Sequence, residues 1–183
     1  MSYFGFHIAT LDSTQIFVYS GQGTYYYYTT PKGSEEPQEN GSYTGQFRQS
    51  QRNGHGVYNL PDGSIYDGEF RENIQNGYGV FRWTDGSIFE GPWRDGKRHG
   101  SHGILIAADG FKYEGAWVNN CMEGRGVATY PKGQIFDGTW VKGKREGRGT
   151  IRFTNGAVCK SPSSIMCSRN GLFAPVLTPR KML

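Results

Sequence analysis

Tyr66-Asp67-Gly68-Glu69-Phe70 decides the fold of this 183-residue chain, because the same phrase returns at a nearly fixed interval. Aromatic-x-Gly-x-aromatic begins at Tyr43, Tyr66, Phe89, Tyr113 and Phe136. Its glycines, Gly45, Gly68, Gly91, Gly115 and Gly138, are spaced 23, 23, 24 and 23 residues apart. Its second aromatics are Phe47, Phe70, Trp93, Trp117 and Trp140. Paired glycines follow each phrase: Gly54/Gly56, Gly77/Gly79, Gly100 and Gly103 with one inserted residue, Gly124/Gly126 and Gly147/Gly149. Each copy closes on a turn, at Asp62-Gly63, Asp85-Gly86, Asp109-Gly110, Lys132-Gly133 and Asn155-Gly156. A period of this size marks an array in which each unit buries its apolar face against its neighbours.

Alternation with period two makes each copy a pair of short strands. In the first strand Tyr66, Gly68 and Phe70 share one face, and Asp67, Glu69 and Arg71 the other. In the second strand Tyr58 and Leu60 alternate with Val57 and Asn59, and later copies repeat this with Phe81/Trp83, Leu105/Ala107, Ala128/Tyr130 and Ile151/Phe153. A two-residue turn at Asp62-Gly63 would put Leu60 opposite to the Tyr66 face. A three-residue loop ending in a positive-φ glycine pairs Leu60 with Ser64 and Tyr58 with Tyr66, so both apolar rows share one face. Pro61 and Pro131 favour the longer loop, since a fixed φ near −65° suits its first position. The central glycine then leaves a slot in which rings from neighbouring strands lie over the backbone. Pro92 lacks a donor, so its position should be unpaired or bulged.

Composition agrees with strands and turns. The chain has 28 glycines, 12 Tyr, 11 Phe and 4 Trp, and glycine costs about 1 kcal/mol per helical position relative to alanine. The longest apolar run, Ile104 to Ala108, is five residues, far short of the roughly 18 of a membrane-spanning helix. No basic-then-apolar leader opens the chain, so secretion is not expected. Cys121, Cys159 and Cys167 are widely spaced and read as reduced thiols of a cytoplasmic protein. Net charge is −3 over residues 1–42, +3 over 43–158 and +4 from Cys159 on, too little to name an acidic partner.

These phrases resemble the MORN (membrane occupation and recognition nexus) repeat. Phe89-Glu90-Gly91-Pro92-Trp93 through Lys97-Arg98-His99-Gly100 stands nearest to its pattern, and Tyr113-Glu114-Gly115-Ala116-Trp117 is similar. The departures are the extra residue at Ser101-His102, Pro92 within a strand, and Lys132 in place of an acid or Asn. The expected fold is all-β: an elongated, single-layer, twisted antiparallel sheet of tandem hairpins, with five copies extending about 50 Å at roughly 4.8 Å per strand. The expected division is a degenerate capping repeat plus loop over 1–42, five repeats over 43–65, 66–88, 89–112, 113–135 and 136–158, and an irregular cap or tail over 159–183. In the first part Gly21-Gln22-Gly23 precedes Tyr25 to Tyr28 as Gly54/Gly56 precede Val57-Tyr58, and an insertion around Thr29 to Gly41 reads as a flexible loop.

Nothing in the sequence assembles catalytic machinery, so no enzyme and no cofactor is expected. His7, His55, His99 and His102 are scattered; His99 and His102 lack further Cys or His nearby and read as turn residues, with no metal site. The paired glycines lack the strand-to-helix context and the Lys-Ser/Thr of a phosphate loop. A single-layer sheet cannot cover its own aromatic face, which points to a protein-interaction scaffold that holds an amphipathic helix or extended segment of a partner. The candidate partner-binding residues are Tyr66, Phe70, Phe89, Trp93, Tyr113, Trp117, Phe136 and Trp140. The alternative is a set of rings that serve only as core. The resemblance implies a setting in the cytoskeleton, notably the axoneme of a cilium or flagellum. A second reading is binding of acidic phospholipid headgroups through the basic hairpin tips Arg94, Lys97, Arg98, Lys142, Lys144, Arg145 and Arg148. A homodimer covering both faces is a third, and nucleic acid is not expected. In the tail, Leu172 to Leu177 reads as part of a cap folded over the last hairpin, or as a peptide reaching a partner.

Overall fold

A computed structural model describes residues 19–33 and 36–161; the N-terminal 18 residues and the tail beyond Ser161, with its expected cap, lie outside the described residues. All regular structure among them is β-strand, and within each unit strands that follow one another in sequence pair antiparallel. The chain divides after residue 98 into two units. The first holds β1 (Gly21–Thr29), β2 (Gln38–Arg48), β3 (Gln51–Asn59), β4 (Ile65–Arg71), β5 (Ile74–Arg82), β6 (Ile88–Arg94) and β7 (Lys97–Arg98). The second holds β8 (Gly100–Ile106), β9 (Lys112–Val118), β10 (Cys121–Thr129), β11 (Ile135–Val141), β12 (Lys144–Arg152) and β13 (Val158–Ser161).

Two kinds of turn alternate. Between the second strand of one copy and the first of the next lies the expected three-residue loop. Leu60 N donates to Ser64 O at 2.8 Å, Gly63 N to Leu60 O at 3.0 Å, and Gly63 has φ of +86°. Tyr58 therefore faces Tyr66 in register, and both apolar rows share one face. The aspartate locks the loop: Oδ1 of Asp62, Asp85 and Asp109 accepts the amide two residues on at 2.8–2.9 Å, as does Asn155 Oδ1 at 3.0 Å.

Within each copy the strands are joined by a two-residue turn that the sequence reading left undefined. Its central residues both have positive φ: Gln49-Ser50, Glu72-Asn73, Asp95-Gly96, Asn119-Asn120 and Lys142-Gly143. This is the mirror-image turn whose twist matches that of the flanking strands. Asn and Gly suit it; Gln49, Glu72 and Lys142 hold it at a cost, since a side chain crowds the backbone in the left-handed region.

The glycines fall into straight rows. In the first unit Gly23, Gly45, Gly56, Gly68, Gly79 and Gly91 face one another strand after strand. In the second, Gly103, Gly115, Gly126, Gly138 and Gly149 do so, ending at Ser161. Gly21 and Gly23 stand opposite Phe47 and Gly45, the register in which Gly54 and Gly56 stand opposite Phe70 and Gly68.

Two expectations are corrected and one holds on a single edge. Thr29 ends β1, and Gln38 to Gly41 already belong to β2, so the loop is confined to residues 30–37 and the rest of the insertion lengthens the two strands. Pro92 stands opposite Tyr78 with the β5–β6 register unbroken, but it has no partner in β7. Gln46, Glu69, Ala116 and Thr139 at the same place in other copies are passed over by a bulge; the expected unpaired position is thus found on that edge alone. Cys159 is disulfide-bonded while Cys121 is free and exposed, so the three thiols are not all reduced.

Candidate interaction face

The face that carries both apolar rows is built as a ladder of rings lying on glycine. A first-strand aromatic leans along its own strand, over the glycine two residues on and over that glycine's partner. A Cβ added to Gly56, Gly79 or Gly126 would stand 2.3–2.4 Å from the hydroxyl oxygen of Tyr43, Tyr66 or Tyr113, and one on Gly149 would stand 2.4 Å from the ring of Phe136. The slot expected at the central glycine exists, but the same strand's ring fills it. The other member of each pair has a different reason to be glycine: Gly54, Gly77, Gly124 and Gly147 have φ between +66° and +113°, where the second strand bulges past the first.

Ring hydroxyls and indoles find backbone acceptors, as buried polar groups must. The hydroxyls of Tyr43, Tyr66 and Tyr113 donate to the carbonyl oxygens of Gln46, Glu69 and Ala116 at 2.9–3.0 Å. Trp93, Trp117 and Trp140 Nε1 donate to the carbonyls of Gly79, Gly103 and Gly126 at 3.1–3.3 Å. Burial pushes the Tyr43 and Tyr113 phenols up to about 12, and Tyr66 higher in the same direction.

Edge-to-face contacts then connect copy to copy. Within a copy Tyr66 meets Phe70 at 5.0 Å and Tyr113 meets Trp117 at 5.3 Å. Across copies Tyr43 meets Phe70 at 5.2 Å, Tyr66 meets Trp93 at 5.4 Å, and Tyr113 meets Trp140 at 5.2 Å. Such pairs contribute about 0.5–1.5 kcal/mol each beyond area burial.

All eight ring positions expected to meet a partner belong to this ladder. Tyr66, Phe89 and Tyr113 are 0% exposed, and Phe70, Trp93, Trp117, Phe136 and Trp140 no more than 7%. Their surface is spent largely on one another. The side chains of the same face that stay half-buried are Tyr58, Leu60 and Trp83 in the first unit, and Leu105, Met122, Tyr130, Ile151 and Phe153 in the second. Alternation marks these second-strand residues as facing the same way, but their exposure depends on how the rings pack.

Arginines complete the face. The Arg52 guanidinium carbon lies 4.5 Å from the Tyr58 ring centre and 5.2 Å from that of Phe70. Arg98 lies 5.8 and 5.6 Å from Trp83 and Phe89, and Arg145 lies 5.7 and 5.5 Å from Tyr130 and Phe136. Two of the seven basic residues expected at hairpin tips, Arg98 and Arg145, thus lie across the rings. Of the others, Arg94 and Lys97 close one two-residue turn, and Lys142 and Lys144 sit in and beside another.

Ahead of β1, Tyr19 takes the place that a first-strand ring holds in the later copies. Its ring lies over Gly21 and Gly23, its hydroxyl donates to Gln22 O, and it meets Phe47 edge-on at 5.5 Å. This reproduces the contact that Tyr43 makes with Phe70.

No cluster of three or more His, Cys, Asp or Glu with metal-ligand geometry occurs among the described residues. His102 instead faces Glu114 at 3.9 Å. The family model of the MORN repeat matches residues 43–65, 66–88, 89–110, 113–135 and 136–158. The chain belongs to the MORN repeat family. The third matched copy stops at residue 110, two short of the boundary read from the period. No curated protein matches the chain significantly. Among solved structures, the wild-type TCP10 domain of Danio rerio CPAP in complex with a peptide of Danio rerio STIL is similar at 11% identity and a TM-score of 0.38, over 80% of this chain and 66% of that one. No described helix is long and apolar enough to cross a membrane.

Proposed function

We propose that this MORN protein is a non-catalytic scaffold whose aromatic face holds an amphipathic or extended segment of a partner protein, within a cytoskeletal assembly such as a ciliary or flagellar axoneme. The observation that carries the reading is the division of labour on that face. Within each unit the buried rings form a floor, and the half-buried row beside it offers rings already fixed in place. Rigid, partly exposed aromatics are the side chains that contribute most at protein interfaces. The setting rests on the family resemblance.

The test separates floor from surface. Trp83→Ala should remove partners from a cross-linking profile in cells while leaving the melting temperature nearly unchanged. Trp93→Ala should lower both. A partner list unaltered by Trp83→Ala and Tyr130→Ala together would sink the reading. A second reading, acidic headgroups bound at the tips, is supported by Arg94, Lys97, Lys142 and Lys144 standing in or beside turns, with Arg148 further along β12. Liposome co-sedimentation abolished by charge removal at these five residues, but not by Trp83→Ala, would favour it.

A further inference from the structure

Between Tyr43 and Arg98 the strand carboxylates are kept off the ring face. Asp67, Glu69 and Glu90 alternate onto the face opposite the rings, and Asp62, Glu72, Asp85 and Asp95 lie in loops. Several are already engaged there: Asp67 with His55 at 3.2 Å, Asp95 with Arg71 at 3.2 Å, and Glu90 with the Tyr78 hydroxyl at 3.0 Å. That opposite face also carries Arg48, Arg71, Arg82 and Arg94, whereas the strand charges on the ring face are the cations Arg52 and Arg98 alone. Arg52 and Arg98 hold equivalent positions, one opposite Phe47 and the other opposite Trp93. Gln75 holds the same position between them, opposite Phe70. Arg52 is bonded through Nη2 to the Asn73 carbonyl, a neutral group, and its Nε and Nη1 have no hydrogen-bond partner. The Arg52 guanidinium, stacked on rings in a half-dry site and bonded to a neutral carbonyl, keeps its field largely uncompensated.

We infer that the ring face of the first unit selects an acidic segment: an extended peptide whose apolar side chains pack on Tyr58 and Trp83 and whose carboxylates stand over Arg52 and Arg98. This rests on the reading of the face as a partner site and adds the sign of the partner. The two arginines are four strands apart, about 19 Å, which an extended chain crosses in about six residues. A peptide crossing the strands with acids six apart, and leucines alternating between them, meets both cations at once. Charge pairs in such a site set which partner is accepted and how fast it arrives.

The test uses the full chain and three fluorescent synthetic peptides of that design, with glutamate, glutamine or lysine at the two charged positions. Binding is followed by polarisation at low and moderate salt. The glutamate peptide should bind about tenfold tighter than the glutamine one, the lysine peptide weakest, with the gap narrowing in salt. Arg98→Met, which keeps bulk over Trp83 and Phe89, should shrink the gap. Gln75→Arg, which adds a third cation to the row, should widen it, so a poorly folded Arg98→Met leaves the inference testable. Equal binding of all three peptides overturns the selectivity and leaves the face a partner site. Binding of none overturns the partner site with it. Displacement of the glutamate peptide by phosphatidylserine vesicles, but not by neutral ones, assigns the cations to lipid and overturns the peptide.

Discussion

Arg52 and Asn73 are joined by three hydrogen bonds. Arg52 N donates to Asn73 Oδ1 at 2.8 Å, Asn73 N to Arg52 O at 3.0 Å, and Arg52 Nη2 to Asn73 O at 2.9 Å. The turn of one copy is thereby fastened to the second strand of the copy before it. Gly96 N to Gln75 O at 3.0 Å, and Gly143 N to Met122 O at 2.9 Å, repeat the middle bond without the side chains.

Asn73 serves that junction twice, by its positive φ and by its amide. Asn73→Gly keeps the turn and loses the side-chain bond, at about 1 kcal/mol. Asn73→Ala loses the bond and strains the turn, at about 2 kcal/mol. Urea unfolding of the two variants should rank them in that order; equal losses would mean that the conformation contributes nothing.

Two glycines predict opposite outcomes for the same substitution. Gly126→Ala would place a methyl 2.4 Å from Tyr113 and should cost about 3 kcal/mol by overpacking a ring that cannot move. Gly86→Ala meets open space at a φ of +88°, so only backbone strain of about 1–2 kcal/mol remains. Calorimetric melting of both variants checks the difference.

Lys132 occupies the one matched loop without an Asp or Asn to lock it, although Tyr130 N to Gln134 O at 2.8 Å keeps the loop's shape. Lys132→Asp should add an acceptor for the Gln134 amide and stabilise by about 0.5–1 kcal/mol. An unchanged melting temperature would show that the loop is held by its backbone alone.

The buried phenols make the fold sensitive to alkali. Burial raises the pKa of Tyr43 and Tyr113 to about 12 from 10, and Tyr66 in the same direction. Between those values the folded chain holds protons that the unfolded chain has released, so stability falls as pH rises. Below about pH 10 these groups should leave stability unchanged, with the decline between 10 and 12. Phenolate absorbance followed alongside unfolding should show these tyrosines ionising only as the ladder opens.

The sequence alone determined the period, the antiparallel pairing and the common face, because these follow from short-range chemistry. A proline before Asp62-Gly63 selects a three-residue loop, and that loop fixes which residues face each other. Tyr66 and Trp93 were recognisable as members of one apolar row for the same reason. What alternation could not give is how much of each ring stays exposed. Tyr66 leans onto its own glycine and is sealed by Trp93 from the next copy, so its burial depends on residues 27 positions away. Likewise Arg98, read as a charged tip, lies over Trp83 and Phe89 only because adjacent strands bring them beneath it. The mutual cover of the rings, and with it the shift of available surface to Tyr58, Trp83 and Tyr130, was decided by tertiary packing. A single strand specifies which way a side chain points, but only its neighbours determine what covers it.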